Sequence, residues 1–183
     1  MKKTFLITLF TLLSASIIHA QDQDPPKLLQ NEVKINAFNL IAFSFIDVQY
    51  EYLLNEEASI GLGTLFNVGD DDEFLDQFRQ FSLTPYYRQY FSNGYAKGFF
   101  VEGFGMLNSG NTEVFDVFLD DAVNVPQERS YTDFALGISI GGKFVTKRGF
   151  VAEIYTGIGR NLLSSDFAPE FVTRGGVSLG YRF

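Results

Sequence analysis

The chain has 183 residues, of which 46% are hydrophobic and 16% aromatic, and it contains no cysteine. This length suits one domain, and the absence of cysteine excludes disulfides, thiol nucleophiles and thiolate metal sites. The formal net charge of -8 argues against a nucleic-acid-binding protein, because phosphate backbones are bound by clustered Lys and Arg.

The first twenty residues have the pattern of a secretory signal peptide. Two lysines come first, the apolar segment 5–18 follows, and Ala20 provides a small residue for cleavage. The apolar segment is shorter than the roughly 20 residues of a membrane-spanning helix. We therefore expect residues 1–20 to be removed and residues 21–31 to form a flexible periplasmic lead-in.

The rest of the chain alternates apolar residues with small or polar ones, with the period of two that is typical of β-strands. The last segment is the clearest, because Val177, Leu179, Tyr181 and Phe183 alternate there with glycine, serine and arginine. Eight such segments are bounded by Gly, Asn and Asp. They cover residues 33–43, 45–54, 58–68, 80–91, 98–108, 131–144, 149–160 and 171–183.

The connections between these segments alternate in length, apart from a tight first link near Ser44. Long loops are predicted over residues 69–79, 109–130 and 161–170, and short turns lie between them. Short turns at one end and long loops at the other are typical of outer-membrane barrels. The sequence therefore predicts an all-β domain over residues 32–183. Its predicted architecture is an eight-stranded antiparallel up-and-down transmembrane β-barrel.

The two faces of the predicted strands differ in composition, and this difference orients the barrel. One face carries Ile, Leu, Val, Phe and Tyr, which suit hydrocarbon and aromatic girdles. The other is mostly Gly and Ser, which suit the crowded lumen of eight strands. A soluble barrel around a ligand is the alternative. Pro85 cannot donate to a ladder, so we expect a bulge there or a strand that begins at Tyr86.

Charged residues on the small-residue face are expected to meet inside the barrel. Buried charges persist when they are paired and hydrogen-bonded, so the sequence predicts a salt-bridge network across the lumen, with Lys34 near its rim. Such a network would leave no aqueous channel, and a proton or ion path through it is the functional alternative. The predicted members are Asp47, Glu51, Arg88, Glu102, Lys143, Glu153, Arg174 and Arg182.

The end of the chain resembles the C-terminal signal of bacterial outer-membrane barrels. In that signal a terminal Phe, preceded by alternating apolar residues, is read by the barrel-assembly machinery. The residues that carry the resemblance are Val177, Leu179, Tyr181 and Phe183.

The region 31–183 is similar to small outer-membrane barrels of Bacteroidetes-type bacteria, specifically the DUF3575-like group of unknown function. The stretches 32–36, 50–55 and 85–91 carry this similarity. The resemblance implies the barrel fold, a location in the cell outer membrane and insertion by the barrel-assembly machinery. It implies no activity. We expect a monomer in contact with outer-membrane lipid.

Three functions are compatible with this sequence. The default is a structural or envelope-integrity role. Acidic loops 69–79 and 109–130 suggest surface interaction, adhesion or weak divalent-cation binding, although their spacing is not that of a calcium loop. A lipid-modifying enzyme would need a base beside its nucleophile, and the only histidine lies within residues 1–20. We therefore expect no catalysis and no catalytic, cofactor-binding or metal site.

Overall fold

The computed structural model describes residues 29–69, 79–92, 94–117, 124–163 and 168–183, without the side chains of 112–128. The predicted signal peptide, most of the lead-in and nearly all of the acidic segment 69–79 lie outside the described residues. Within the described ranges, no helix has the length and apolar character needed to cross a membrane.

Eight antiparallel strands form one closed sheet, so the predicted eight-stranded β-barrel is confirmed. Each strand pairs with its neighbours in sequence, and the first pairs with the last, where Glu32 lies opposite Arg182. The strands are β1 (Asn31–Asn36), β2 (Phe45–Leu53), β3 (Ala58–Asn67), β4 (Arg79–Tyr90), β5 (Gly98–Val117), β6 (Asn124–Val145), β7 (Phe150–Asn161) and β8 (Phe171–Arg182).

The two ends of the barrel differ. One end, which we call the short-turn end, carries the β2–β3, β4–β5 and β6–β7 turns together with Asn31 and Phe183, which are hydrogen-bonded to each other through their backbones. The opposite end, which we call the long-loop end, carries the other four connections.

The prediction of one strand over residues 33–43 is wrong beyond Asn36. There the chain enters the helix α1 (Ala37–Phe43), and the Asn36 side chain caps it by accepting from the backbone N–H of Asn39 at 3.1 Å. Ser44 ends the helix in a left-handed conformation with φ of 56°. A short apolar run cannot be assigned to strand or helix by period alone, and asparagine is a strong N-cap residue.

The long loop predicted over residues 109–130 is also wrong, because most of this segment is strand. β5 and β6 stay paired up to Val117 and Asn124, whereas the last β4 pair reaches Gly110 and the last β7 pair reaches Ala135. The hairpin therefore continues beyond the barrel wall as a two-stranded ribbon. Period-two hydrophobicity marks a strand whose one face is buried, and a ribbon outside the barrel does not need it.

Pro85 lies inside β4, so neither the expected bulge at this residue nor a strand start at Tyr86 is found. The irregularity in β4 falls between Arg79 and Phe81 instead. Pro85 pairs with β3, while the pairing of β4 with β5 lapses between Leu83 and Tyr86. The missing backbone N–H is thus accommodated by a local gap in one ladder.

Candidate functional site

The alternation of β1 and β2 directs a series of polar side chains into the lumen. Glu32, Lys34 and Asn36 are buried on β1, and Gln49 and Glu51 are buried on β2. Successive residues of a strand point to opposite faces of the sheet, so every second residue contributes to the interior. On the other strands the same alternation directs charged side chains into the part of the lumen nearer the short-turn end.

Lys34 and Arg88 form the centre of the interior network. The Lys34 ammonium donates to Glu51 at 2.5 Å and to Glu153 at 2.8 Å. The Arg88 guanidinium donates two bonds to Glu153 at 2.7 and 2.8 Å, one to Glu102 at 2.6 Å and one to Glu51 at 3.1 Å. The expectation that Lys34 lies near the rim is wrong, because its side chain has no exposed surface.

The network continues to the short-turn end through Lys143 and Arg182. Lys143 donates to Glu51 at 2.7 Å and to Glu32 at 2.8 Å, and Arg182 donates to Glu32 at 2.7 Å. Arg182 also donates to the backbone oxygens of Tyr95 at 2.9 Å and Ala96 at 2.8 Å. It thereby ties the last strand to the β4–β5 turn across the barrel mouth.

Towards the long-loop end, Arg174 donates to Glu102 at 2.8 Å. Asp47 stands apart from these ion pairs: among the described residues it accepts hydrogen bonds from Asn36 at 3.0 Å and Asn39 at 2.9 Å and has no cation within 4.0 Å. The structure thus joins seven of the eight residues expected in the lumen and leaves Asp47 beside α1.

Sequence reasoning missed Glu32, which pairs with both Lys143 and Arg182. A signal was available, because Glu32 is two residues from Lys34 and shares its face. With Glu32, Asp47, Arg79 and Asp133 included, the described interior holds six cations and six carboxylates. The cations are Lys34, Arg79, Arg88, Lys143, Arg174 and Arg182, and the carboxylates are Glu32, Asp47, Glu51, Glu102, Asp133 and Glu153.

Aromatic rings enclose the two central guanidinium groups. The Arg88 guanidinium carbon lies 4.2 Å from the centre of the Phe100 ring and 4.6 Å from that of Tyr86. Arg174 lies 5.2 Å from the rings of both Phe104 and Tyr155. These cation–π contacts add to the ion pairs and hold the arginines away from solvent.

A chamber of about 550 Å³ occupies the lumen on the long-loop side of the network. Phe38 and Asn39 of α1 line the chamber towards the long-loop end, and Tyr155, Asp47 and Arg174 also line it. The described residues contain no group of three or more His, Asp or Glu placed to hold a metal ion. The barrel interior is therefore filled with ion pairs in one half and contains a cavity in the other.

The outer wall carries exposed apolar side chains with aromatic residues towards both ends. Among the described residues of the eight-stranded wall, Arg160 is the charged residue that points outward, and it pairs with Glu170 at 2.9 Å near the long-loop end. The middle of the wall carries Ile60, Leu62, Val101, Leu136, Ile138, Ile154 and Val177. Exposed aromatic residues include Tyr52, Tyr87, Phe91, Phe99, Phe144, Phe150, Tyr181 and Phe183 towards the short-turn end and Phe66 and Phe171 towards the other.

The C-terminal residues that resemble an assembly signal lie on this outer face. Val177, Tyr181 and Phe183 are exposed and Leu179 is half-buried. The alternate residues Ser178 and Arg182 face the lumen.

No family profile matches the chain, and no curated protein matches it. The resemblance to the DUF3575-like group and to Bacteroidetes-type bacteria therefore stays a prediction. Among solved structures, the chain is similar to the N-terminal β-barrel domain of Pseudomonas aeruginosa OprF, with 12% sequence identity and a TM-score of 0.49. The match covers 85% of this chain and 98% of the OprF chain.

Proposed function

We propose that this protein is a structural β-barrel of the bacterial outer membrane, closed to solutes by its interior ion network. The observation that carries the proposal is the reversed polarity of the molecule: ion pairs are buried inside and apolar side chains are exposed outside. A water-soluble protein has the opposite arrangement, because burial of charge is costly and burial of apolar surface is favourable.

The dimensions of the wall support membrane insertion. β7 has 12 residues, which span roughly 30 Å of membrane normal at about 3.3 Å per residue and a tilt of about 40°. This matches the roughly 25 Å apolar band of outer-membrane barrels with a small margin for the aromatic girdles. The barrel is closed, so it leaves no unpaired sheet edge in hydrocarbon.

The interior network supports a sealed barrel. Lys34, Arg88 and Lys143 join carboxylates from β1, β2, β5 and β7, so the ion pairs cross the lumen rather than follow one wall. An eight-stranded barrel is just wide enough for side chains to fill. The proposal includes no catalytic step, because the four glutamates of the ion network are engaged with its lysines and arginines.

A matched pair of substitutions tests whether the outer wall contacts lipid. Ile138 lies mid-wall and Leu163 lies beyond the end of β7, and their exposed fractions are nearly equal at 63% and 66%. In a membrane, Ile138→Lys should destabilise the barrel by about 2–4 kcal/mol, whereas Leu163→Lys should have little effect. Urea unfolding from lipid vesicles measures the difference.

Equal, small effects of the two lysines would refute membrane insertion, as would recovery of the intact chain from a periplasmic wash without detergent. The sealed lumen has its own test in planar-bilayer recordings. We expect no large, stable unitary conductance, and its appearance would favour the ion-path alternative instead.

The β5–β6 ribbon favours a second candidate function, surface interaction. Its strands remain paired up to Val117 and Asn124, beyond the wall formed by their neighbours, and its sequence is rich in acidic residues. Deletion of residues 112–128 should abolish a binding phenotype while the heat-modifiable mobility of the barrel is kept. A binding phenotype that survives this deletion would exclude the ribbon as the binding element.

A further inference from the structure

We propose that a groove on the outer wall holds one acyl chain of a phospholipid from the membrane leaflet at the short-turn end. The groove has a volume of about 580 Å³ and crosses β2, β3, β4 and β5. This inference rests on the proposed membrane insertion. It adds one specific lipid-binding site to the general lipid contact of the outer wall.

The groove is formed by two neighbouring rows of outward-facing residues, each row consisting of residues paired across adjacent strands. Tyrosines on β2 and β4 and aliphatic residues on β3 lie in these rows, which end on β5 at positions that have no side chain. The first row runs through Tyr52, Ile60, Tyr87 and Gly103, and the second runs through Tyr50, Leu62 and Pro85 towards Gly105.

The floor of the groove is open because of glycine. A Cβ atom built on Gly103 would meet no other atom within 4 Å, and one built on Gly105 would meet the Phe134 ring at 3.0 Å. Pro85 adds a compact side chain beside these glycines, where the β4–β5 ladder lapses. The volume is comparable to that of small-molecule pockets, and the groove is open on its outer side.

The lining selects an apolar occupant with one polar end. Its described lining contains aliphatic, aromatic, proline and glycine residues and no charged side chain. Hydroxyl groups mark one end: Tyr50 donates to Asn31 at 2.7 Å and Tyr87 donates to Gln89 at 3.0 Å. Both acceptors lie towards the short-turn end.

This polarity is that of a phospholipid tail whose headgroup lies at the same membrane surface. Tyrosine suits such a boundary, because its ring is apolar and its hydroxyl is wet. The short turns of outer-membrane barrels face the periplasm, so the acyl chain would enter from the periplasmic leaflet and extend towards the middle of the wall.

Two glycines provide a matched experiment. Gly103 and Gly142 both point outward, and a Cβ at either would meet nothing within 4 Å, but Gly142 lies outside the groove lining. Wild-type, Gly103→Leu and Gly142→Leu proteins are reconstituted in vesicles of phosphatidylethanolamine and phosphatidylglycerol. They are then extracted in mild detergent and examined by native mass spectrometry for bound phospholipid.

We expect wild type and Gly142→Leu to retain one phospholipid. Gly103→Leu should show roughly tenfold or more lower occupancy, because its side chain fills the floor of the groove. Should Gly103→Leu lose its heat-modifiable mobility, Tyr87→Ala replaces it: removal of this wall should also lower the occupancy.

Several results would overturn the site. Two concern the amount bound: equal phospholipid retention by wild type and Gly103→Leu, or no retained phospholipid on wild type. Two concern the occupant: lipopolysaccharide instead of phospholipid after extraction from native membranes, or a dimer that Gly103→Leu disrupts. In each of these cases the barrel still inserts, so the failure concerns the groove alone. A barrel that does not insert into vesicles would instead refute the proposed function.

Discussion

Arg88 offers the sharpest test of the interior network. Its buried guanidinium donates four hydrogen bonds of 2.6 to 3.1 Å to three carboxylates. In Arg88→Met these carboxylates stay buried and lose their shared partner. Glu153 would keep Lys34, and Glu102 would keep Arg174. Removal of one member of a buried ion pair typically costs about 3–5 kcal/mol, and we expect a loss of unfolding free energy in that range.

The control is the exposed pair of Arg160 with Glu170. Its 2.9 Å distance resembles those of Arg88, but its side chains are 66% and 62% exposed. Surface pairs contribute about 0–1 kcal/mol, because water and salt screen them. Arg160→Met should therefore change the stability far less than Arg88→Met.

Urea unfolding in detergent micelles, followed by tyrosine fluorescence and heat-modifiable mobility, measures both variants. The double variant Arg88→Met/Glu153→Gln should regain part of the loss, because it removes one of the carboxylates that lose Arg88 as a partner. Two results would refute the reasoning: equal effects of Arg88→Met and Arg160→Met, or no recovery in the double variant. Either would show that the buried charges are not coupled through Arg88.

Three further predictions concern the wall, the helix and the short-turn end. Gly137→Val should prevent barrel closure, because a Cβ there would lie 2.5 Å from the backbone oxygen of Ile158; loss of heat-modifiable mobility checks this, with Gly142→Val as the tolerated control. Asn36→Ala should cost about 1 kcal/mol or more by urea unfolding, because the α1 cap is lost and Asp47 loses a donor; an unchanged midpoint would contradict this role. Arg182→Gln should speed tryptic cleavage after Lys97, because it weakens the tie between β8 and the β4–β5 turn; cleavage after Lys147 is the internal control, and equal acceleration at both sites would indicate general unfolding instead.

The sequence predicts most of the wall because alternation is a local property. Val177 and Tyr181 face outward and Ser178 and Arg182 face inward as consecutive residues of a strand must. The errors occur where local pattern is ambiguous. The apolar run of α1 fits strand or helix, and the acidic ribbon of β5 and β6 lacks the alternation that a buried face imposes.

Alternation also indicated that Glu51, Arg88 and Glu153 would point into one lumen, but not which charges would meet. It could not show that Lys34 would lie at the centre of the network or that Asp47 would lie beside α1, because these positions depend on the shape of the closed lumen and on a helix.

The amino-acid sequence by itself determined most of the strands, their two faces and the presence of both charge signs in the lumen, since each depends on residues one or two positions apart. The tertiary structure alone decided the partners. Glu32 meets Arg182 because β1 and β8 pair in a register that places these two residues opposite each other. Lys34 reaches Glu153 across the lumen. The groove beside Gly103 likewise depends on the register of four strands. Register around a closed sheet is a collective property, so no local pattern contains it.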